Sequence, residues 1–139
     1  MTDTTMKQLR LNITDGGRSK YFKASQVGDC VTRAIALATG KDYKEVYNKI
    51  TKIVGYTPRN GVKKKDTKKA MQYFGGEWHA TMSIGTGCQV HLAENEIPMQ
   101  GNIVCQLSGH VCNVKNGVIN DSFDPSREGT RCVYGYWRF

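Results

Sequence analysis

The hydrophobic pattern of this chain changes period once, at Gly75-Gly76, and that change limits the folds open to it. Upstream, apolar residues recur at helical spacing; downstream they alternate, as in strands with two distinct faces. Val31, Ala34, Ile35 and Ala38 form the first helical stripe, which stops at Thr39-Gly40, where glycine suits the left-handed residue past a helix end. Asp42 and Glu45 make a capping box for a second helix, with Tyr43, Val46, Tyr47, Ile50 and Val54 as its buried stripe. Pro58 and Asn60-Gly61 then mark a loop, and Asp66 predicts the cap of a third helix through Ala70, Met71 and Phe74.

Beyond Gly76, residues 77–84 read as a strand, 85–87 as a turn and 91–96 as a brief helical or loop segment closed by Pro98. Residues 102–107 form a better strand, with Ile103, Cys105 and Leu107 on one face. Segments 110–115 and 118–123 flank Asn116-Gly117, a pair that accepts the positive φ angles of a type I′ hairpin turn. A last strand runs from Arg131 through Val133, Tyr134, Tyr136 and Trp137. Helices first and antiparallel strands second predict an α+β domain, its helices packed on one face of the sheet. Residues 1–20 are polar and predict a loose arm or a short edge strand, leaving residues 21–139 as one domain.

Apolar residues make up 39% of the chain, and four Phe, seven Tyr and two Trp give it enough to bury that disorder is excluded. No stretch approaches the ~20 apolar residues that span a bilayer, and the start, Met1-Thr2-Asp3-Thr4-Thr5-Met6, lacks a signal peptide's apolar core, so membrane and secreted classes are not expected. Five cysteines, at 30, 88, 105, 112 and 132, are an odd number without paired spacing; in a cytosolic protein all five are expected as thiols. Twenty Lys and Arg against twelve Asp and Glu give a net charge of +8, a field that favours acidic partners. Lys63, Lys64, Lys65, Lys68 and Lys69 concentrate it, either as a solvated helix face or as a docking surface. With Arg10, Arg18, Arg33, Arg59 and the tyrosines they could make a nucleic-acid surface, but no helix-turn-helix, zinc-finger or RNA-binding signature accompanies them.

The chemistry centres on Cys30, which follows Gly28-Asp29 where the first helix starts; a helix N-terminus stabilises a thiolate. A thiol nucleophile needs a base and a group to hold that base, and His110 fits better than His79 or His91. A two-residue loop at Asn116-Gly117 pairs Lys115 with Val118, which sets Cys112 opposite Asp121 and His110 opposite Phe123. Asp121 then lies diagonal to His110; a one-residue slip would present Asp124 or Asn120 instead. Cys105, His110 and Cys112, with Cys88, offer zinc-ligand chemistry, but no paired Cys-x-x-Cys spacing supports it, and core and active-site roles are expected in its place.

Gly28-Asp29-Cys30-Val31-Thr32-Arg33-Ala34-Ile35-Ala36, the Asp42-Tyr43-Lys44-Glu45-Val46 helix start, Ser108-Gly109-His110 and Asp121-Ser122-Phe123-Asp124 resemble small papain-like cysteine peptidases encoded by bacteriophages. The resemblance covers about residues 21–137 and is similar in plan to the peptidases that trim double-glycine leaders. It implies a papain-like fold, with Cys30 as nucleophile, His110 as base, Asp121 as third member and no cofactor. Such enzymes carry a Gln before the nucleophile as oxyanion donor; here the nearest is Gln26, four residues upstream and closer than their usual spacing. A protein or peptide substrate, phage or host, is implied, as is stoichiometric inhibition of a host factor if the site is silent.

Overall fold

A computed structural model describes residues 7–23 and 28–139. Strands β1 (Arg10–Ile13), β2 (Glu77–Ala80), β3 (Asn102–Leu107), β4 (His110–Lys115), β5 (Val118–Asp121) and β6 (Gly135–Arg138) accompany helices α1 (Cys30–Thr39), α2 (Tyr43–Val54) and α3 (Lys64–Tyr73). The molecule is α+β, with a six-stranded sheet in the order β1-β5-β4-β3-β6-β2.

Each helix ends where the local chemistry requires. The Asp42 carboxylate accepts hydrogen bonds from the Lys44 and Glu45 backbone N–H groups, and Gly40 and Gly55 close α1 and α2 in the left-handed conformation. Helix α3 corrects the expectation at Asp66. It starts at Lys64, and Asp66 lies inside the first turn, where its carboxylate accepts a hydrogen bond from the Tyr56 hydroxyl at 2.8 Å instead of capping.

The hairpin follows the sequence register: Lys115 pairs with Val118 and Asn113 with Asn120, while Asn116 and Gly117 have φ angles of 49° and 78°. The sheet itself is mixed rather than antiparallel, because β1 pairs parallel with β5. Of the two readings for residues 1–20, the edge strand is the one found, over Arg10–Ile13. Strand β2 stops at Ala80 instead of reaching residue 84, and β6 begins at Gly135 rather than Arg131. Gly135 is required there: a Cβ would stand 2.3 Å from the Trp78 ring, which packs on Trp137 at 4.6 Å between ring centres.

The helices lie on one face of the sheet, as expected, and irregular chain covers the other. On the helix side Val31, Ala34, Ile35, Val46, Ile50 and Met71 pack on Val104, Val111 and Trp137. On the other, Ile103, Cys105, Leu107, Cys112, Val114 and Ile119 are sealed by Leu9, Leu92, Ile97 and Val133. The covering segment lacks a helix, so its apolar residues carry no period to read. It also overturns the reading of five thiols: Cys88 and Cys132 form a disulfide, while Cys30, Cys105 and Cys112 are free. His91 bridges Cys132 in backbone pairing, which brings Cys88 within reach across 44 residues of sequence.

Candidate active site

Three element ends meet at one end of two interior strands. Cys30 is the first residue of α1, His110 the first of β4 and Asp121 the last of β5; β4 and β5 are antiparallel, so these two ends coincide. The His110 imidazole Nε2 lies 2.7 Å from Asp121 Oδ2, and His110 shares a hydrogen bond with Cys30. With Nε2–H donated to Asp121, Nδ1 is the nitrogen left for the thiol. Phe123 packs on the imidazole at 5.1 Å between ring centres, and the His110 and Asp121 side chains are 10% and 3% exposed, dry enough for their charges to act strongly on each other.

The electrostatics set the thiol and the imidazole apart from ordinary ones. Burial pushes the Cys30 thiol up, but the hydrogen bond and charge of His110, a backbone hydrogen bond from Val111 and the Arg33 charge together bring it below its ordinary value. Burial pushes His110 down, and the hydrogen bonds to Asp121 and Cys30 outweigh it, raising the imidazole to about 9. Both shifts run toward a thiolate–imidazolium pair.

A buried ion network that sequence reasoning missed holds this triad in place. Asp29 stands at the N-cap of α1 yet makes no capping bond with its side chain. Its carboxylate takes the Tyr43 hydroxyl at 2.6 Å, Arg18 Nη1 at 3.0 Å and Arg33 Nη1. The other terminal nitrogen of Arg33 reaches Asp121 Oδ1 at 3.3 Å, so one guanidinium ties the start of α1 to the carboxylate behind His110. Burial, then the hydrogen bond to Asp29, pushes the Tyr43 hydroxyl far up, which keeps it a donor. The i, i+4 spacing of Asp29 and Arg33 was a signal in the sequence, as was an Arg amid the apolar stripe of α1. Arg18 and Arg33, considered as cations of a basic surface, are buried in this network; Arg10 and Arg59 are exposed.

The other candidates fall elsewhere. Asn120 donates to Asn113 Oδ1 and accepts from Asn12, and Asp124 accepts from the Ser126 N–H, so neither serves His110. His79 stacks on Tyr136, and His91 bonds Glu96. Cys105 and Cys112 pair across β3 and β4 in the second core, where their mutual hydrogen bond and burial push Cys112 well up; they do not join His110 in a zinc site. Gln26 lies outside the described residues. Gln106, not singled out from the sequence, lines the site, but its amide donates to the Leu107 and His110 carbonyls and so braces the Ser108-Gly109 turn. Lys63, Lys64, Lys65, Lys68 and Lys69 are all exposed on and beside α3, whose Thr67, Ala70 and Met71 face inward.

The triad opens on a cleft of about 820 Å³. Its walls come from Gly28 and Val31, the loop around Asn60-Gly61-Val62, Trp78 and Tyr134, and the turn before His110. Lys64 stands at its rim, next to the lysine cluster. A thiol, the imidazole bonded to it and a helix N-terminus thus share one accessible space, the groups that acyl transfer through a thioester would call on. Compared with known proteins, the chain matches no family model, no curated protein and no solved structure. No helix among the described residues is long and apolar enough to cross a membrane.

Proposed function

We propose that this chain is a papain-like cysteine hydrolase that cleaves an amide or isopeptide bond in a protein or peptide. The observation that carries the reading is the continuous hydrogen-bonded line from Cys30 through His110 to Asp121, opening on the cleft. Cys30 Sγ attacks the carbonyl carbon while the imidazolium holds the thiol proton. Charge that develops on the carbonyl oxygen meets the backbone N–H of Cys30, one of the orphan donors of the α1 N-terminus. The C–N bond then breaks, His110 delivers its proton to the departing amine, and a thioester remains on Cys30. Water, deprotonated by His110, releases the acid and restores the thiol. Asp121 keeps Nε2 protonated throughout and so aims Nδ1 at the sulfur and at the water.

The resemblance to phage-encoded peptidases makes a phage or host protein the substrate and the host cytoplasm the place of action. The lysines at 63, 64, 65, 68 and 69 adjoin the cleft and suit an acidic partner. Incubating the wild type and Cys30→Ala with peptide and isopeptide-linked libraries, and reading new termini by mass spectrometry, tests the reaction. Cleavage by the wild type alone is expected. Absence of cleavage by both, with a biological effect that survives Cys30→Ala, would replace hydrolysis with inhibition by occupation of the same basic surface.

A further inference from the structure

Independently of the hydrolase reading, we propose that reduction of the Cys88–Cys132 disulfide creates a zinc site formed by Cys88, His91 and Cys132, with a water as fourth ligand. The ligand atoms of these three residues lie within 4.8 Å of one another, and Cys88 is exposed while His91 and Cys132 are half-buried, so an ion has access. Tetrahedral zinc with thiolate bonds of about 2.3 Å spaces its sulfurs about 3.8 Å apart. The two sulfurs therefore need only part by a short rotation of Cys88, which sits beyond the left-handed turn glycines Gly85 and Gly87.

Two further observations point to a metal. Glu96 Oε1 accepts a hydrogen bond from His91 Nδ1 at 2.9 Å and also from the His91 backbone N–H at 3.2 Å. That carboxylate fixes the tautomer and leaves Nε2 with the lone pair a metal needs, the usual outer-shell support of a zinc-bound histidine. The frame also stands without the disulfide. His91 bridges Cys132, the Leu92 N–H donates to the Arg131 carbonyl and the Val133 N–H to the Val90 carbonyl, both at 2.8 Å, and Leu92 and Val133 are fully buried. The ligands thus stay in place when the sulfurs separate. Cys-x-x-His with a distant cysteine across a β-bridge is a spacing that a search for paired Cys-x-x-Cys passes over.

The chemistry balances with a dithiol reductant. It donates two electrons and two protons to the disulfide and leaves as its own cyclic disulfide; zinc then displaces both thiol protons and forms two Zn–S bonds. The site has an open position, and the redox state of the protein decides whether it exists.

Zinc titration against a chromogenic chelator, on the full chain oxidised and after reduction under anaerobic conditions, is the test, with Cys30→Ala run in parallel because Cys30 and His110 are themselves zinc-type ligands. One equivalent bound by the reduced protein, retained in Cys30→Ala and absent from the oxidised protein, is expected. His91→Ala should weaken binding by at least a hundredfold and Glu96→Gln by about tenfold. Cobalt in place of zinc should give thiolate charge-transfer absorption and tetrahedral d–d bands in the wild type, a readout that does not depend on any variant folding. Absence of zinc binding by the reduced protein, loss of the equivalent in Cys30→Ala, or indifference to His91→Ala would overturn the proposal.

Discussion

Replacing Asp121 by Asn tests whether the triad is electrically coupled or merely adjacent. An Asn there keeps an oxygen for the Arg33 guanidinium and the Ser122 N–H, both of which now reach Asp121 Oδ1. Arg33 also keeps Asp29, so the fold should survive. The change falls on the second oxygen, 2.7 Å from His110 Nε2. An amide N–H at that place donates to Nε2, moves the ring proton to Nδ1 and removes the acceptor that faces Cys30. The rise of His110 from 6.5 to about 9 corresponds to about 3 kcal/mol of preference for the protonated ring. Asp121 is the first of its upward causes, ahead of Cys30. If it supplies half, about 1.5 kcal/mol is lost and the thiolate–imidazolium population at neutral pH falls about tenfold. The assay is the pH dependence of iodoacetamide labelling of each free thiol, resolved by mass spectrometry, in wild type, Asp121→Asn and His110→Ala. Wild-type Cys30 should label below the ordinary thiol range, with buried Cys105 and Cys112 as slow internal references. Asp121→Asn should slow Cys30 about tenfold near pH 7, and His110→Ala should return it to an ordinary profile. Identical profiles for wild type and Asp121→Asn would refute the coupling.

Arg33→Met leaves two buried carboxylates short of their shared cation; a loss of about 3–5 kcal/mol in denaturant unfolding is expected, and a loss below 1 kcal/mol would remove the network from the account of the fold. His110 binds its proton more tightly folded than unfolded, so its contribution to stability is complete below pH 6.5 and is lost as pH rises through about 9. The lowered Cys30 thiol acts in the opposite sense, its contribution present above pH 9.0 and lost as pH falls through the folded value. Stability of Cys30→Ala should therefore decline on the alkaline side of pH 6.5 while the wild-type profile stays flatter; equal slopes in urea titrations would sink the ion pair. Reducing Cys88–Cys132 without metal opens a 44-residue loop, and calorimetry should register a loss of up to about 4 kcal/mol. Gly135→Ala drives a methyl into the Trp78 ring, and a change in near-ultraviolet circular dichroism with a loss of roughly 1–3 kcal/mol should follow.

What could be read from the sequence was whatever local chemistry decides. Asn116-Gly117 admits few turns other than the one found, and once its register was set, the diagonal from His110 to Asp121 followed from counting. Cys30 needed only the glycine before Asp29 and the stripe after it. The remainder depends on contacts between distant segments, which no local pattern encodes. β1 pairs with β5 across more than a hundred residues, and its parallel direction leaves no mark on Arg10–Ile13. The partnership of Cys88 and Cys132 arises from one β-bridge between irregular segments. Most telling is Asp29, which local rules assign to capping α1. Its carboxylate is instead surrounded by Arg33, one turn on in the same helix, and by Arg18 and Tyr43, which arrive from two other segments. Among the described residues this helix start has no side-chain cap, the condition under which its backbone donors could serve the charged intermediate of the proposed reaction. The residue that departs most from its expected local role is therefore the neighbour of Cys30, the proposed nucleophile, as expected where a fold gives up a local preference to a site.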